Sequence, residues 1–259
     1  MNLRRLLSRS ISEIYSSRPW INYPKRGLRI LMYHAIGTPA FGDHLGLFSI
    51  SPDRFKTQMK LLADFHKSAV VDFSEQLFDD KNLNFVITFD DGYLDNLTVA
   101  APILLELGFP FTIFISTNFV KTRRPGFLTP SDLRELASLP RAQIGAHGAN
   151  HIDLTQCNDN TLREELISSR VYLEDLLGIE VSTMSYPYGA VDRRVRNAAH
   201  MAGYRRAACS YFEINKKDRD PLLLARTEIN SHDEQRVFLQ KLRGGWDWYR
   251  WRRQDPAWP

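Results

Sequence analysis

Three short stretches hold side chains whose types and spacing suit hydrolytic chemistry. In FVITFDDGYLDN, residues 85–96, Asp90 and Asp91 stand side by side with Gly92 behind them. Neighbouring carboxylates repel, and on a pleated strand they point to opposite faces. A site that holds both needs a cation, a shared proton or open water; the plain alternative is an Asp-Gly hairpin turn. In IGAHGANH, residues 144–151, His147 and His151 lie four residues apart. Gly148, Asn150 and the following Asp153 favour a turn there, and a turn or a helix can bring both imidazoles to one ion. Two imidazoles and one carboxylate hold zinc or a similar divalent ion while leaving a position for water. The ion lowers the pKa of that water and polarises a carbonyl. The other aspartate then has a task of its own, as the general base that takes the water's proton. In MSYPYG, residues 184–189, Pro187 stiffens a turn and Gly189 permits unusual backbone angles. The backbone N–H of Tyr188 can there face a developing oxyanion.

Each stretch follows an apolar run. Strands are predicted at 28–34, 84–89, 111–116, 141–146, 181–187 and 204–210. Between them, Ser51-Pro52 and Thr129-Pro130 open helices with a capping hydroxyl and a proline in the first turn. A helical run over 97–107 contains Pro102, which must start or kink it. The segment 158–178 places Leu162, Leu166, Leu173 and Leu177 on one face and leaves Glu164, Glu165, Arg170 and Glu174 for water. Residues 191–202 form another helix, ended by Gly203. Strand and helix alternate without a long linker, which argues for parallel strands joined by helical crossovers. An α/β barrel of seven or so strands fits the count, with chemistry gathered where strands end.

The chain has 259 residues, 43% of them hydrophobic and 25% charged, with a net charge of +4. That is enough for one large core, excludes wholesale disorder and falls short of a nucleic-acid-binding signature. Cys157 and Cys209 form no Cys-x-x-Cys pattern. The first residues, MNLRRLLSRSISEIYSS, place Leu3, Leu7, Ile11 and Ile14 at helical spacing with Arg4, Arg5 and Arg9 between them. They lack the continuous apolar core of an export signal, so an amphipathic surface helix in a cytoplasmic protein is expected. At the other end, Trp246, Trp248, Trp251 and Trp258 alternate with Arg243, Arg250, Arg252 and Arg253. Such a segment either packs its indoles on the barrel or forms an interfacial patch on the inner face of a membrane, joined by the N-terminal helix.

TFDDG, HGANH and SYPYG, in this order and at these separations, resemble the first three motifs of the polysaccharide deacetylases, carbohydrate esterase family 4. The resemblance covers roughly residues 28–230. It implies a distorted (β/α)7 barrel and divalent-metal-dependent removal of acetyl groups from sugars, with zinc the first expectation and cobalt or nickel the alternatives. It also implies roles: Asp90 as general base, Asp91, His147 and His151 as metal ligands, and the Tyr188 backbone in the oxyanion hole. ILMYHAIG resembles the exopolysaccharide N-deacetylase branch, in which an early Tyr-His segment supplies the general acid. That points to His34, with His232 a second candidate. Gly148 stands where the family usually has a serine or threonine that stabilises the loop. Ser185 stands where many members have an arginine that steadies the base, and Arg226 is the expected replacement. The usual Asp-x-x-Asp-Trp motif is not evident after residue 200. The organisation expected is an N-terminal segment (1–27), the barrel (28–232) and a C-terminal helix with its Trp/Arg tail (233–259). The expected activity is de-N-acetylation of an acetylated amino-sugar glycan in exopolysaccharide or lipopolysaccharide assembly. An O-acetyl esterase, another amide hydrolase or a non-catalytic glycan-binding barrel are the alternatives.

Overall fold

The computed structural model describes residues 3–17, 26–65, 68–73, 81–252 and 255–256. Seven parallel strands form the sheet: β1 (Gly27–Tyr33), β2 (Leu83–Phe89), β3 (Phe111–Ile115), β4 (Ala142–Ala146), β5 (Thr183–Ser185), β6 (Arg206–Ala208) and β7 (Arg226–Glu228). Their order is β6-β5-β4-β3-β2-β1-β7. The sheet curls into a nearly closed (β/α) barrel. Between its end strands β6 and β7, the bridge of Ala208 to Leu224 spans the gap.

All seven residues of β1 are buried, as a parallel strand covered on both faces requires. Alternate positions separate two environments. Leu28, Ile30, Val86, Phe114, Ala208 and Leu224, drawn from strands around the barrel, meet in one cluster inside it. Leu31, Tyr33, Phe85, Ile87 and Phe89 belong to the larger core under the helices. Those helices are α1 (Leu3–Ser16), α2 (Pro52–Ala63), α3 (Ala101–Glu106), α4 (Thr117–Lys121), α5 (Pro130–Ser138), α6 (Asp159–Leu177), α7 (Arg193–Met201) and α8 (Gln235–Arg243).

The start signals act as predicted at α5, where the Thr129 side chain and Asp132 cap each other's backbone N–H groups. Pro102 lies in the first turn of α3, and a wider π-type turn over Asn96–Ala100 precedes it. The extra residue per turn absorbs the disruption that a proline brings to a helix. β7 is absent from the strands that apolar runs predict: three residues, the first an arginine, leave no run to read.

The tail resolves in favour of packing at two of its indoles. Trp246 and Trp248 are buried; the Trp248 Nε1 donates to Ser12 Oγ (2.8 Å) and the Trp246 Nε1 to Gln240 Oε1 (3.2 Å). Asp247, between them, takes both guanidinium arms of the fully buried Arg29 at 3.0 and 2.9 Å. An interfacial patch built on Trp246 and Trp248 is therefore ruled out by their burial. Trp251 remains exposed, while Arg253 and Trp258 lie outside the described residues.

Candidate active site

Asp90 continues the inward alternation of Val86 and Thr88 on β2 and so caps the barrel interior. Arg226 opens β7 opposite Ile30, another inward position. The two side chains meet there: Arg226 Nη1 and Nη2 donate to Asp90 Oδ1 and Oδ2, both at 2.7 Å. Arg226 is fully buried and Asp90 nearly so. Ser185 Oγ also donates to Asp90 Oδ1, at 3.0 Å. Burial alone would raise the Asp90 carboxyl, but the Arg226 guanidinium, followed by His147, overrides it. The group is held well below the usual carboxylate range.

Asp91 leaves the strand alternation. Its φ is +73° and that of Gly92 +86°, a pair of left-handed residues that turns the chain sharply. That turn is how adjacent aspartates reach one mouth instead of opposite faces. A Cβ on Gly92 would lie 2.9 Å from Ile115 Cδ1, so the bend is also tight. His151 (φ +54°) and Tyr188 (φ +60°) are left-handed too. Strain of this kind costs roughly 1–3 kcal/mol per residue and collects at functional sites.

The Nε2 atoms of His147 and His151 both approach Asp91 Oδ1, at 3.4 and 3.1 Å. By distance both could be hydrogen bonds, yet among the described residues none of good geometry reaches this buried oxygen. His147 Nδ1 donates to the Ser185 carbonyl at 2.9 Å and lies 2.6 Å from Ser185 Oγ. With the proton committed to Nδ1, Nε2 presents a lone pair to the mouth. Burial pushes His147 down to about 4, keeping it neutral. Burial would also lower His151, but the Asp91 carboxylate beside it more than offsets this and raises it. An orphaned carboxylate oxygen faced by two imidazole nitrogens, all within 4.8 Å of one another, is a donor set that fits a divalent cation.

Loops and neighbours fix this set. Glu165 of α6 is buried and accepts from the backbone N–H groups of Ala149 and Asn150, both at 2.9 Å, and from Asn150 Nδ2 at 2.5 Å. The expectation that Glu165 faces water is thus wrong: the loop between the histidines has backbone donors, Gly148 has no hydroxyl to offer, and the carboxylate takes that place. The signal was present in the spacing, since Leu162, Glu165, Leu166, Ser169 and Leu173 share the buried face. Tyr93 was also missed. Its hydroxyl accepts from Phe41 N at 2.8 Å, and burial, then the Asp91 carboxylate nearby, push it well above the usual phenol range.

His34 is half-buried in the loop after β1, its carbonyl held by Asn96 Nδ2 at 2.8 Å and its ring 4.6 Å from that of Phe48. Its buried Nδ1 has no hydrogen-bond partner among the described residues, and its charge would favour the ionised forms of Asp90 and Asp91. His232 sits on the neighbouring loop after β7, which Ser231 N ties to Leu47 O at 2.8 Å. The Tyr188 ring leans on that of His151 at 4.8 Å.

A nearly closed (β/α) barrel with two carboxylates, two imidazoles and a buried arginine at the strand ends is the frame of a hydrolase. The family model for polysaccharide deacetylase matches residues 79–207. Residues 79–207 thus carry that family's domain, a hydrolase domain. YxkH of Bacillus subtilis (strain 168), named as a polysaccharide deacetylase, is 27% identical over 217 residues, 82% of this chain and 75% of the relative. BC0361, a polysaccharide deacetylase from Bacillus cereus, superposes with a TM-score of 0.72 at 25% identity, over 85% of this chain and 70% of that one. The Streptococcus pyogenes deacetylase PplD, solved in complex with acetate, gives 0.72 at 23% identity, over 85% and 99%. This last likeness concerns the fold.

Proposed function

We propose that the chain is a divalent-metal-dependent de-N-acetylase of an amino sugar carried on a glycan or a lipid-linked saccharide. The observation that carries this reading is the pairing of an orphaned Asp91–His147–His151 donor set with a second carboxylate, Asp90, that needs none of those contacts. Asp91, His147 and His151 would hold the ion, most simply zinc, which when bound supplies an acidified water and a polarised acetyl carbonyl. Asp90, oriented by Arg226 and Ser185, takes the proton of the attacking water. The Tyr188 backbone N–H, in its strained turn, stabilises charge on the carbonyl oxygen. His34 returns a proton to the departing nitrogen, because an amine anion is a very poor leaving group. A cleft of about 640 Å³, lined in part by Gly189, Arg193, Ser210, Tyr211 and Asp255, adjoins the turn that carries Tyr188 and offers a place for further sugar units.

Acetate release from a panel of N-acetylated and O-acetylated oligosaccharides tests the activity. Release from N-acetyl substrates alone is expected; release only from O-acetyl esters would make the enzyme an esterase. For the metal, His147→Ala and Asp91→Asn are expected to lose bound ion by more than the roughly 10–100-fold typical of outer partners. Elemental analysis after dialysis reads this directly, and full stoichiometry in both variants would refute the ligand set. For the acid, His34→Ala is expected to lower turnover by about 10²–10⁴-fold with metal content intact. If His232→Ala does so instead, the two histidines exchange roles.

A further inference from the structure

Helix α1 is attached to the barrel the wrong way round for an amphipathic helix. Its serines face the protein: Ser8 Oγ lies 3.2 Å from Tyr249 Oη, and the fully buried Ser12 accepts from Trp248 Nε1. Three of its aliphatic side chains face solvent: Leu7 is 55% exposed, Ile11 43% and Ile14 64%. Steps of four and three residues put these on one stripe. Trp251, 67% exposed, extends the patch, with its ring edge-on to Tyr15 at 5.8 Å. A helix that served only to cover the tail would bury its apolar stripe and leave serines in water. Scattered exposed apolar residues are ordinary, but a continuous stripe joined by an indole marks a contact surface.

Charge identifies the occupant. α1, α8 and the turn Asp247–Arg252 together carry eight arginines and lysines against two acids, Glu13 and Asp247. With the partners of these residues counted in (Asp233 on the buried Lys241, Glu234 on Arg9, Glu213 on Arg250 and Arg29 on Asp247), the net charge is +4, as large as that of the whole chain, so the basic excess is concentrated here. A second copy docked about a two-fold axis would set this basic surface against itself. An anionic lipid surface would meet both of its features, taking the aliphatic stripe and Trp251 at headgroup level and the arginines on phosphate. The placement gives the contact a use. Arg9 Nη2 reaches His232 O at 3.4 Å and Glu234 Oε1 at 3.1 Å, and Glu13 pairs with Arg236 further along α8. α1 therefore runs alongside α8, with Arg9 at the loop that carries His232.

We propose that the outward face of α1, with Trp251, is a docking surface for anionic bilayers that holds the mouth of the barrel at the membrane. The inference does not depend on which bond the active site cleaves. The test is co-sedimentation of the full chain with phosphatidylcholine vesicles and with equimolar phosphatidylcholine–phosphatidylglycerol vesicles, alongside Leu7→Ser/Ile11→Ser/Ile14→Ser and the milder Ile11→Ser. The full chain is expected to bind the anionic vesicles, less so as salt rises. The triple variant should bind at least about tenfold more weakly, since each buried aliphatic chain contributes roughly that factor. Ile11→Ser should lose less in the same direction. Both variants should keep wild-type activity on a soluble acetylated oligosaccharide, which also checks their folding. Equal sedimentation of wild type and both variants, or equal binding to the two kinds of vesicle, would overturn the proposal. So would a wild-type dimer, seen by light scattering, that the triple substitution makes monomeric while vesicles capture neither protein.

Discussion

Asp90→Asn is expected to cost about 10²–10⁴-fold in turnover and, separately, about 3–5 kcal/mol of stability. The first loss follows from removing the proton acceptor without touching a metal ligand. The second follows from burial: Arg226 is fully inside the barrel and Asp90 is its bidentate partner, so neutralising the aspartate strands a guanidinium where water cannot reach it. Arg226→Met should be as damaging in reverse. Its loss leaves a buried carboxylate that burial pushes up, so it takes a proton and ceases to be a base. The double variant Asp90→Asn/Arg226→Met leaves neither charge bare. It is expected to regain most of the stability and none of the activity, because a buried ion pair exchanged for uncharged groups of similar size is often neutral. Denaturant midpoints at constant slope and steady-state turnover on the same four proteins separate the two quantities. Additive stability losses in the double variant would show that the pair is not a unit.

That pair marks a boundary in what the amino-acid order reveals. The Asp90 end was legible, since a seven-residue apolar strand delivers it to the mouth. Arg226 was reachable only as the expected stand-in for an arginine absent at position 185. β7 itself is three residues long, and its pairing with β1 belongs to the closed sheet and not to its own side chains. The strands β1 to β3 read well because burial on both faces demands near-continuous apolar runs. Periodicity found α1 as a helix but could not tell which face would be turned inward, since that is decided by the hydroxyl-to-indole and hydroxyl-to-phenol contacts with the tail. Ser185 looked like a vacancy. Its carbonyl and hydroxyl instead set the tautomer of His147 while its O–H supports Asp90, a double task visible only once β4 and β5 lie side by side.

Glu165 makes the same point, and its removal is expected to be the most damaging change outside the mouth. Three donors converge on its carboxylate, two from the backbone of the loop between the histidines. Hydrogen bonds to a charged acceptor are worth about 1.5–3 kcal/mol each, and a buried donor left bare costs about 1–3 kcal/mol. Glu165→Ala should therefore destabilise the fold by at least about 3 kcal/mol. It should also weaken metal binding by roughly 10–100-fold, the range for groups that orient ligands without being ligands, because His151 at φ +54° depends on the loop to keep that backbone angle. Glu165→Gln should fall between, since its NH2 group would face a donor where the second carboxylate oxygen had accepted. Gly148 supplies the decisive control. A Cβ there would sit 3.2 Å from Glu165 Oε2 at φ +69°, so Gly148→Ser alone is expected to destabilise. In the Glu165→Ala background the crowding disappears, only backbone strain of about 1–2 kcal/mol remains, and the new hydroxyl can accept from the loop's bare N–H groups. The double variant should then lose clearly less than the sum of the two single losses, in stability and in metal affinity alike. Strict additivity, or wild-type metal affinity in Glu165→Ala, would mean that the loop holds its histidines without the carboxylate.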